Sequence, residues 1–534
     1  MPSLGFGSGR ALLGCVLLLA GTACGPKLTR APAQADAQTR ALLPARLRLL
    51  SVAELESSVE AVVGKRPDLA ARLAPDVRQS GYTRNAGQSW SGTNALRWND
   101  IVENLAREVA EQDSARLWSC ATNDSACSTR QMGALALRAW RRPATAAELE
   151  QLARIYDLGR ANADRHKALA LLLQALFQAP SFLYASELGI GIEGDRALTK
   201  LDDYEIGSAL AYTLSGAPPD EQLLDAARLG TLVDADERVR HAWRILGKSE
   251  TRFHFRRFVL EWLEVDRLQD SVKDAASYPN YDALKSKMLE ETANFSDQVI
   301  VEHGASVQAL LDAGFASVDP SMARFYGLPA YGVEVPLSAT ARRGVLQQAS
   351  VLAAHSHPDI TSPVKRGDFV LRRVLCEQLK RPAELGIEVV MPRPVADQTG
   401  RERLRAHDMS LGCASCHKHI DPLGFVFENF DTDGQVRKLD AGKPVDTSVD
   451  WAFQGQVHHF ANSVELSRWL ASRPETGECF ARQAFRYFSA QTDAAAEDEF
   501  LNQVARLPTG EQNNLVQMLV AYVASDSFVL RRQK

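Results

Sequence analysis

The sequence predicts a mainly α, multidomain helical protein with long loops and one small β-hairpin element near a Cys-x-x-Cys-His motif. Three observations predict this class. Apolar residues recur at helical spacing along most of the chain, as in Leu96, Ile101, Leu105, Val109 and again in Phe255, Phe258, Val259, Trp262. With 534 residues the chain can build several cores. Strand-like alternation is read at 435–450, around the turn Asp440-Ala-Gly-Lys443.

The elements follow in order. Residues 1–24 read as a signal peptide: Arg10 precedes the apolar run Ala11–Ala23, which ends in small residues and is too short to span a bilayer. Gly21-Thr22-Ala23-Cys24 resembles a lipobox with Cys24 as the lipidated residue. Leu12-Leu13-Gly14-Cys15 fits the local pattern but leaves little apolar segment before it, and a secreted protein cleaved near Ala23 is the other reading. Residues 25–45, small, polar and proline-containing, form a flexible tether. A helical domain follows over 46–113, with a first helix from Leu47 through Val62, Ser51 as an internal N-cap, and a second helix from Ala95 to Gln112. Residues 114–190 form a second helical domain, in which Pro143 stops one helix and Thr145 with Glu148 makes a capping box for the next. After a glycine-containing loop at 190–200, a helical domain spans 195–330, with Asp202 or Asp203 and then Pro218-Pro219-Asp220 opening helices. Residues 328–340 read as a loop, Arg342–His355 and Val364–Cys376 as helices, and the proline-rich stretch 380–400 as an extended connection within a domain of 340–455. Residues 460–534 are helical again.

Eight cysteines divide by position. Cys15 and Cys24 belong to the signal, and Cys413 and Cys416 to the motif. In an exported chain the remaining four suggest disulfides. Cys120 and Cys127 enclose a short polar loop, and Cys376 then pairs with Cys479 by elimination, although four cysteines allow three connectivities and free buried thiols are the alternative.

Cys413-Ala-Ser-Cys-His417 is the attachment sequence of a c-type haem. Each thiol can form a thioether to a haem vinyl group, and His417 is placed as the axial ligand to the iron. A zinc site would need a second pair of soft ligands, and a thioredoxin-like dithiol would need a strand before the motif and a helix after it. For the sixth position, His407 ranks first because it lies on the segment leading into the motif. His419, His458, His459, Met391, Met409 and Met518 are the other candidates, and an open position is the further alternative. Arg437 is a candidate partner for a haem propionate. The acidic group Asp421, Glu428, Asp431, Asp433 lacks EF-hand spacing.

These residues also carry a resemblance. Leu49-Leu-Ser-Val-Ala-Glu-Leu55, Arg138-Ala-Trp-Arg-Arg-Pro143, Gln178-Ala-Pro-Ser-Phe-Leu-Tyr184, Leu201-Asp-Asp-Tyr-Glu-Ile-Gly207, Arg342-Arg-Gly-Val-Leu346 and Ser362-Pro-Val-Lys-Arg-Gly367 lead to the run Cys413 through Asp431. The chain resembles a family of exported bacterial multidomain proteins built from consecutive domains of unknown function around a planctomycete-type cytochrome c motif. The resemblance implies architecture, export and the haem motif, and it names no substrate.

Together these readings point to an exported protein, lipid-anchored in the bacterial cell envelope, carrying covalent haem c in a redox or electron-transfer role. A haem-dependent oxidoreductase is one form of that role. The expected partners are the membrane, through the anchor, and a redox protein. A net charge of −5 argues against a nucleic-acid binder. The alternative is a cell-envelope scaffold lipoprotein in which the motif is structural or binds zinc.

Overall fold

The computed structural model describes residues 41–533 apart from 121–123, 161–163, 339, 380–383, 385–396 and 408–410; for 406, 407 and 411–413 only the backbone is described. The signal, Cys24 and most of the tether therefore lie outside the described residues, as do Met391 and Met409. The architecture is mainly α, with sheets of two or three short antiparallel strands among the described residues.

The first core is helical. It gathers Val59, Trp98, Val102, Trp118, Leu135, Leu172 and Phe177 from the helices Val52–Val63, Gly92–Gln112, Ser125–Trp140 and Arg165–Gln178 and from the loop before Ser125. Ser51 caps the first helix in a full capping box with Glu54. The helix begins at Val52, not at Leu47. Arg46–Leu49 is a strand paired antiparallel with Tyr184–Glu187. Its partner lies far along the chain, so local apolar spacing could not reveal the pairing. Thr145 and Glu148 exchange the two bonds of the other predicted box, at 3.3 and 2.8 Å.

The larger second core joins Leu210, Phe258 and Trp262 to Phe427, Phe430, Phe480, Tyr487 and Met518. The helices Asp203–Ser215 and Ser249–Trp262 thus share one interior with Pro474–Phe488 and Leu515–Ala524. Asp202 and Asp220 are the observed N-caps of their helices. The predicted loop at 190–200 contains two paired strands, Ile190–Ile192 and Asp195–Lys200, and Leu530–Arg532 adds to the second. Buried Glu187 accepts from Arg46 at 2.9 Å and from Arg531 at 2.7 Å, joining the beginning and end of the described body.

A third, smaller core packs Tyr281, Met288, Val318, Met322 and Val335. Here too a predicted loop contains a strand, Gly332–Pro336, paired with Phe315–Val318. The predicted helix over 342–355 is a 3₁₀ turn, Val345–Gln347, followed by the short helix Ala349–Ala354. The one over 364–376 is the helix Pro363–Phe369 continuing into a π-helical stretch, Val370–Val374. Cys120 is bridged to Cys127 and Cys376 to Cys479, with Cα–Cα distances of 5.6 and 5.3 Å. No helix among the described residues is long and apolar enough to cross a membrane.

Candidate haem-attachment site

The motif lies on one helix, Leu411–Phe425. Cys413, Cys416 and His417 therefore stand at i, i+3 and i+4, the spacing that puts side chains on one helical face. The described element before this helix is the helix Gly400–His407, not the strand that a thioredoxin-like pair requires. Cys416 is half-buried, packs against the second core and carries a free thiol. The side chain of Cys413 lies outside the described residues.

His417 is oriented from its own helix. Its Nδ1 faces both carboxylate oxygens of Asp421, one turn later, at 3.0 and 3.1 Å, and Asp421 is only 2% exposed. A carboxylate at Nδ1 selects the tautomer whose lone pair is on Nε2 and fixes the plane of the ring, which is the usual arrangement behind a metal-binding histidine. The donor set of thiols and an oriented imidazole fits a covalent haem. Sequence reasoning considered Asp421 only as part of an acidic group. The i+4 spacing was the signal for its pairing with His417.

The motif helix is held by contacts that the family-like sequence runs supply. It crosses the helix Pro363–Phe369 at glycines: a Cβ on Gly424 would lie 1.9 Å from the carbonyl oxygen of Pro363, and one on Gly367 would lie 2.0 Å from that of Ile420. Arg366, buried in the crossing, donates to the carbonyls of Phe427, Phe430 and Asp431 at 2.9, 3.0 and 2.9 Å and to Ser356 Oγ at 3.0 Å. Its Nη1 is 3.4 Å from Glu428. Glu428 also accepts from Thr361 and Arg437, both at 2.8 Å. Burial lowers the Arg366 pKa to about 10 and raises that of Glu428; each moves the other toward its charged form without overcoming the loss of water. Trp451 of the hairpin Val449–Phe460 donates to the carbonyl of His419 at 3.0 Å, and Arg401 lies over the Phe425 ring at 4.5 Å.

The other candidates are dispersed. His407 ends the helix Gly400–His407, and its side chain lies outside the described residues. His458 packs on Trp469 at 4.9 Å, and exposed His459 bonds Asp450 at 2.9 Å. Met518 is fully buried in the second core. Arg437 is engaged by carboxylates of this chain, Glu428 at 2.8 Å and Asp440 at 3.4 Å. Among the described residues, no three His, Cys, Asp or Glu side chains gather around a point that could hold a metal ion.

Three family profiles match in succession. PSD5, a protein of unknown function (DUF1595), covers residues 127–187, PSD4 (DUF1592) covers 201–328, and PSCyt3 (DUF1588) covers 342–440. The last stretch contains both crossing helices, the motif and Glu428, and its name hints at a cytochrome-like domain. No curated protein and no solved structure matches the chain. With these domains in consecutive order, the chain belongs to the multidomain family of unknown-function domains associated with a planctomycete-type cytochrome c motif.

Proposed function

We propose that this is an exported protein, lipid-anchored through Cys24, that holds one c-type haem on Cys413, Cys416 and His417 and passes electrons to or from a redox partner in the cell envelope. The observation that carries the reading is the motif helix, on which His417 is oriented by buried Asp421. When bound, the haem supplies one-electron chemistry. The protein's own part is to present two thiols on one helical face, hold the imidazole plane, and keep the helix rigid through the Gly367–Gly424 crossing and the Arg366 hydrogen bonds.

The test is expression of the full chain in a host competent for c-type maturation. A haem-staining band that survives denaturing gels, lost in the Cys413→Ala/Cys416→Ala double variant, is the expected result. Well-matured protein that carries no covalent haem and binds about one zinc would turn the assignment to the envelope scaffold reading. For the anchor, Cys24→Ala should give an unprocessed or unlipidated form.

A further inference from the structure

A second site lies away from the motif helix. A cleft of about 1630 Å³ opens between the first and second cores. One wall is the helix Val52–Val63 with the loop that ends at Asp76. The other is the outer face of Ser249–Trp262, and the loop 215–220 and Arg138 close the end. Ligand pockets favour such junctions, and this volume exceeds the few hundred to about 1,000 Å³ that a single small molecule fills.

The polar groups in this cleft have few partners within the chain and face its open space. Arg257 is exposed on the cleft wall and makes no hydrogen bond or ion pair with any described residue, so its donors face the space of the cleft. Burial would lower its pKa, but Tyr487, Glu261, Glu56 and Asp76 outweigh this and hold it above the ordinary value. Asp76 accepts only from the Val52 amide, at 3.1 Å to each oxygen, and burial pushes its carboxyl up to about 7. Glu261 is bound by Thr83 alone, at 2.9 Å from the amide and 2.5 Å from the hydroxyl. Phe253, 64% exposed, stands at the rim with the Arg256 guanidinium over its ring, 5.1 Å from the centroid.

The chemistry narrows the ligand. Eleven carboxylate side chains against six arginines line the cleft, and Arg48, Arg78, Arg244 and Lys248 just behind it pair with Glu54, Asp266 and Asp220, so the charge is mixed and offers a polyanion no net attraction. Unpaired Arg257 and Arg138 disfavour a polycation. No strand edge lies in the walls for an extended peptide to join. What remains is a ligand whose groups both donate to carboxylates and accept from a guanidinium, with apolar faces between them. Vicinal hydroxyls on sugar rings do this. We propose that the cleft binds a neutral oligosaccharide chain, with Asp76 and Arg257 bonding its hydroxyls and Phe253 packing against a ring.

The test is isothermal titration of the full chain with neutral hexasaccharides: α-1,4- and β-1,4-glucan, β-1,4-mannan and β-1,4-xylan. At least one should bind saturably. Arg257→Gln and Asp76→Asn should each weaken it at least tenfold and Phe253→Ala several-fold, with cooperative melting transitions excluding misfolding and that of Asp76→Asn displaced only by the pH-linked amount its carboxyl accounts for. Cys413→Ala/Cys416→Ala should leave binding intact, so this inference and the haem reading fail independently. Binding to none of the four, binding indifferent to the cleft variants, or saturable binding of polygalacturonate or a basic peptide in their place would overturn it.

Discussion

Arg366 and Arg257 are both arginines set among carboxylates, and they are finished differently. Arg366 is 3% exposed, and its two Nη atoms reach three main-chain carbonyls, a serine hydroxyl and Glu428. Arg257 is surrounded by Glu56, Asp76 and Glu261 in the electrostatic sense but bonds none of them. A guanidinium has five N–H donors in a rigid fork, and leaving them unmet is costly unless water or a ligand meets them. The Arg366 cluster is closed by the fold at both Nη atoms, with Nε alone left buried without a hydrogen bond, and serves to place the motif helix. The exposed Arg257 guanidinium is left to water, or to a ligand that displaces it. Residue type alone does not separate a scaffold from a site; burial and the partners within the chain, taken together, do.

The largest effect should come from breaking the closed cluster. Arg366→Ala leaves the carbonyl of Phe430 without its donor, takes one of two donors from those of Phe427 and Asp431, and leaves Glu428 without one of its two cations. Removing one member of a buried charge cluster costs about 3–5 kcal/mol. Denaturant unfolding of the purified variant should show that loss, and haem incorporation should fall with it. A loss under about 1 kcal/mol would mean that the cluster is not what fixes the helix.

Next is the crossing itself. Gly424→Ala puts a methyl group 1.9 Å from the Pro363 carbonyl oxygen, so the two helices must separate. Overpacking of this kind costs about 1–3 kcal/mol. Gly400→Ala, whose added Cβ would meet nothing closer than 3.4 Å, is the matched control and should stay near wild-type stability.

How much of this was legible follows from range along the chain. The Thr145–Glu148 and Ser51–Glu54 caps, the Asp202 and Asp220 starts and the turn at Asp440 were readable because their partners lie within a few residues. The strands at Arg46, Ile190 and Gly332 were not, because each is too short to show a period and two of them pair with or extend a sheet that includes distant segments. The site divides the same way. Cys416, His417 and the i+4 carboxylate Asp421 share one helix, so sequence spacing carries them. Arg437 could be named but its partner could not, since the choice of Glu428 over any other anion is made by the fold. The cleft was invisible: its walls come from segments near 52, 76, 138, 220 and 257.

A smaller effect concerns pH. Asp76 titrates at about 7 in the fold, above its ordinary value of 3.8, because burial disfavours its charge. A group whose folded pKa is raised stabilises below its unfolded pKa and loses that contribution as pH rises through the folded one. Stability should therefore fall between about pH 4 and pH 7. Asp76→Asn, which can still accept from the Val52 amide, should remove that part of the slope, amounting to about 1–2 kcal/mol at neutral pH. Thermal melts of both proteins across this window check it; identical pH profiles would show that water in the cleft solvates Asp76 fully.

The smallest stability effect should come from the open cluster. Arg257→Met removes no hydrogen bond and no ion pair, and it retains much of the aliphatic stem, so global stability should change by less than about 1 kcal/mol. The electrostatics should respond all the same. Arg257 lowers the pKa of both Asp76 and Glu261, against the stronger effect of their burial. Without it the Asp76 titration should move above its value of about 7, and the pH at which the stability slope ends should move with it. The contrast with Arg366→Ala is the point of the experiment: one arginine lost with the fold, the other lost with only a titration. If Arg257→Met instead destabilises by several kcal/mol, the guanidinium is a structural element of the junction between the two cores, and the distinction between a closed and an open cluster does not hold for this chain.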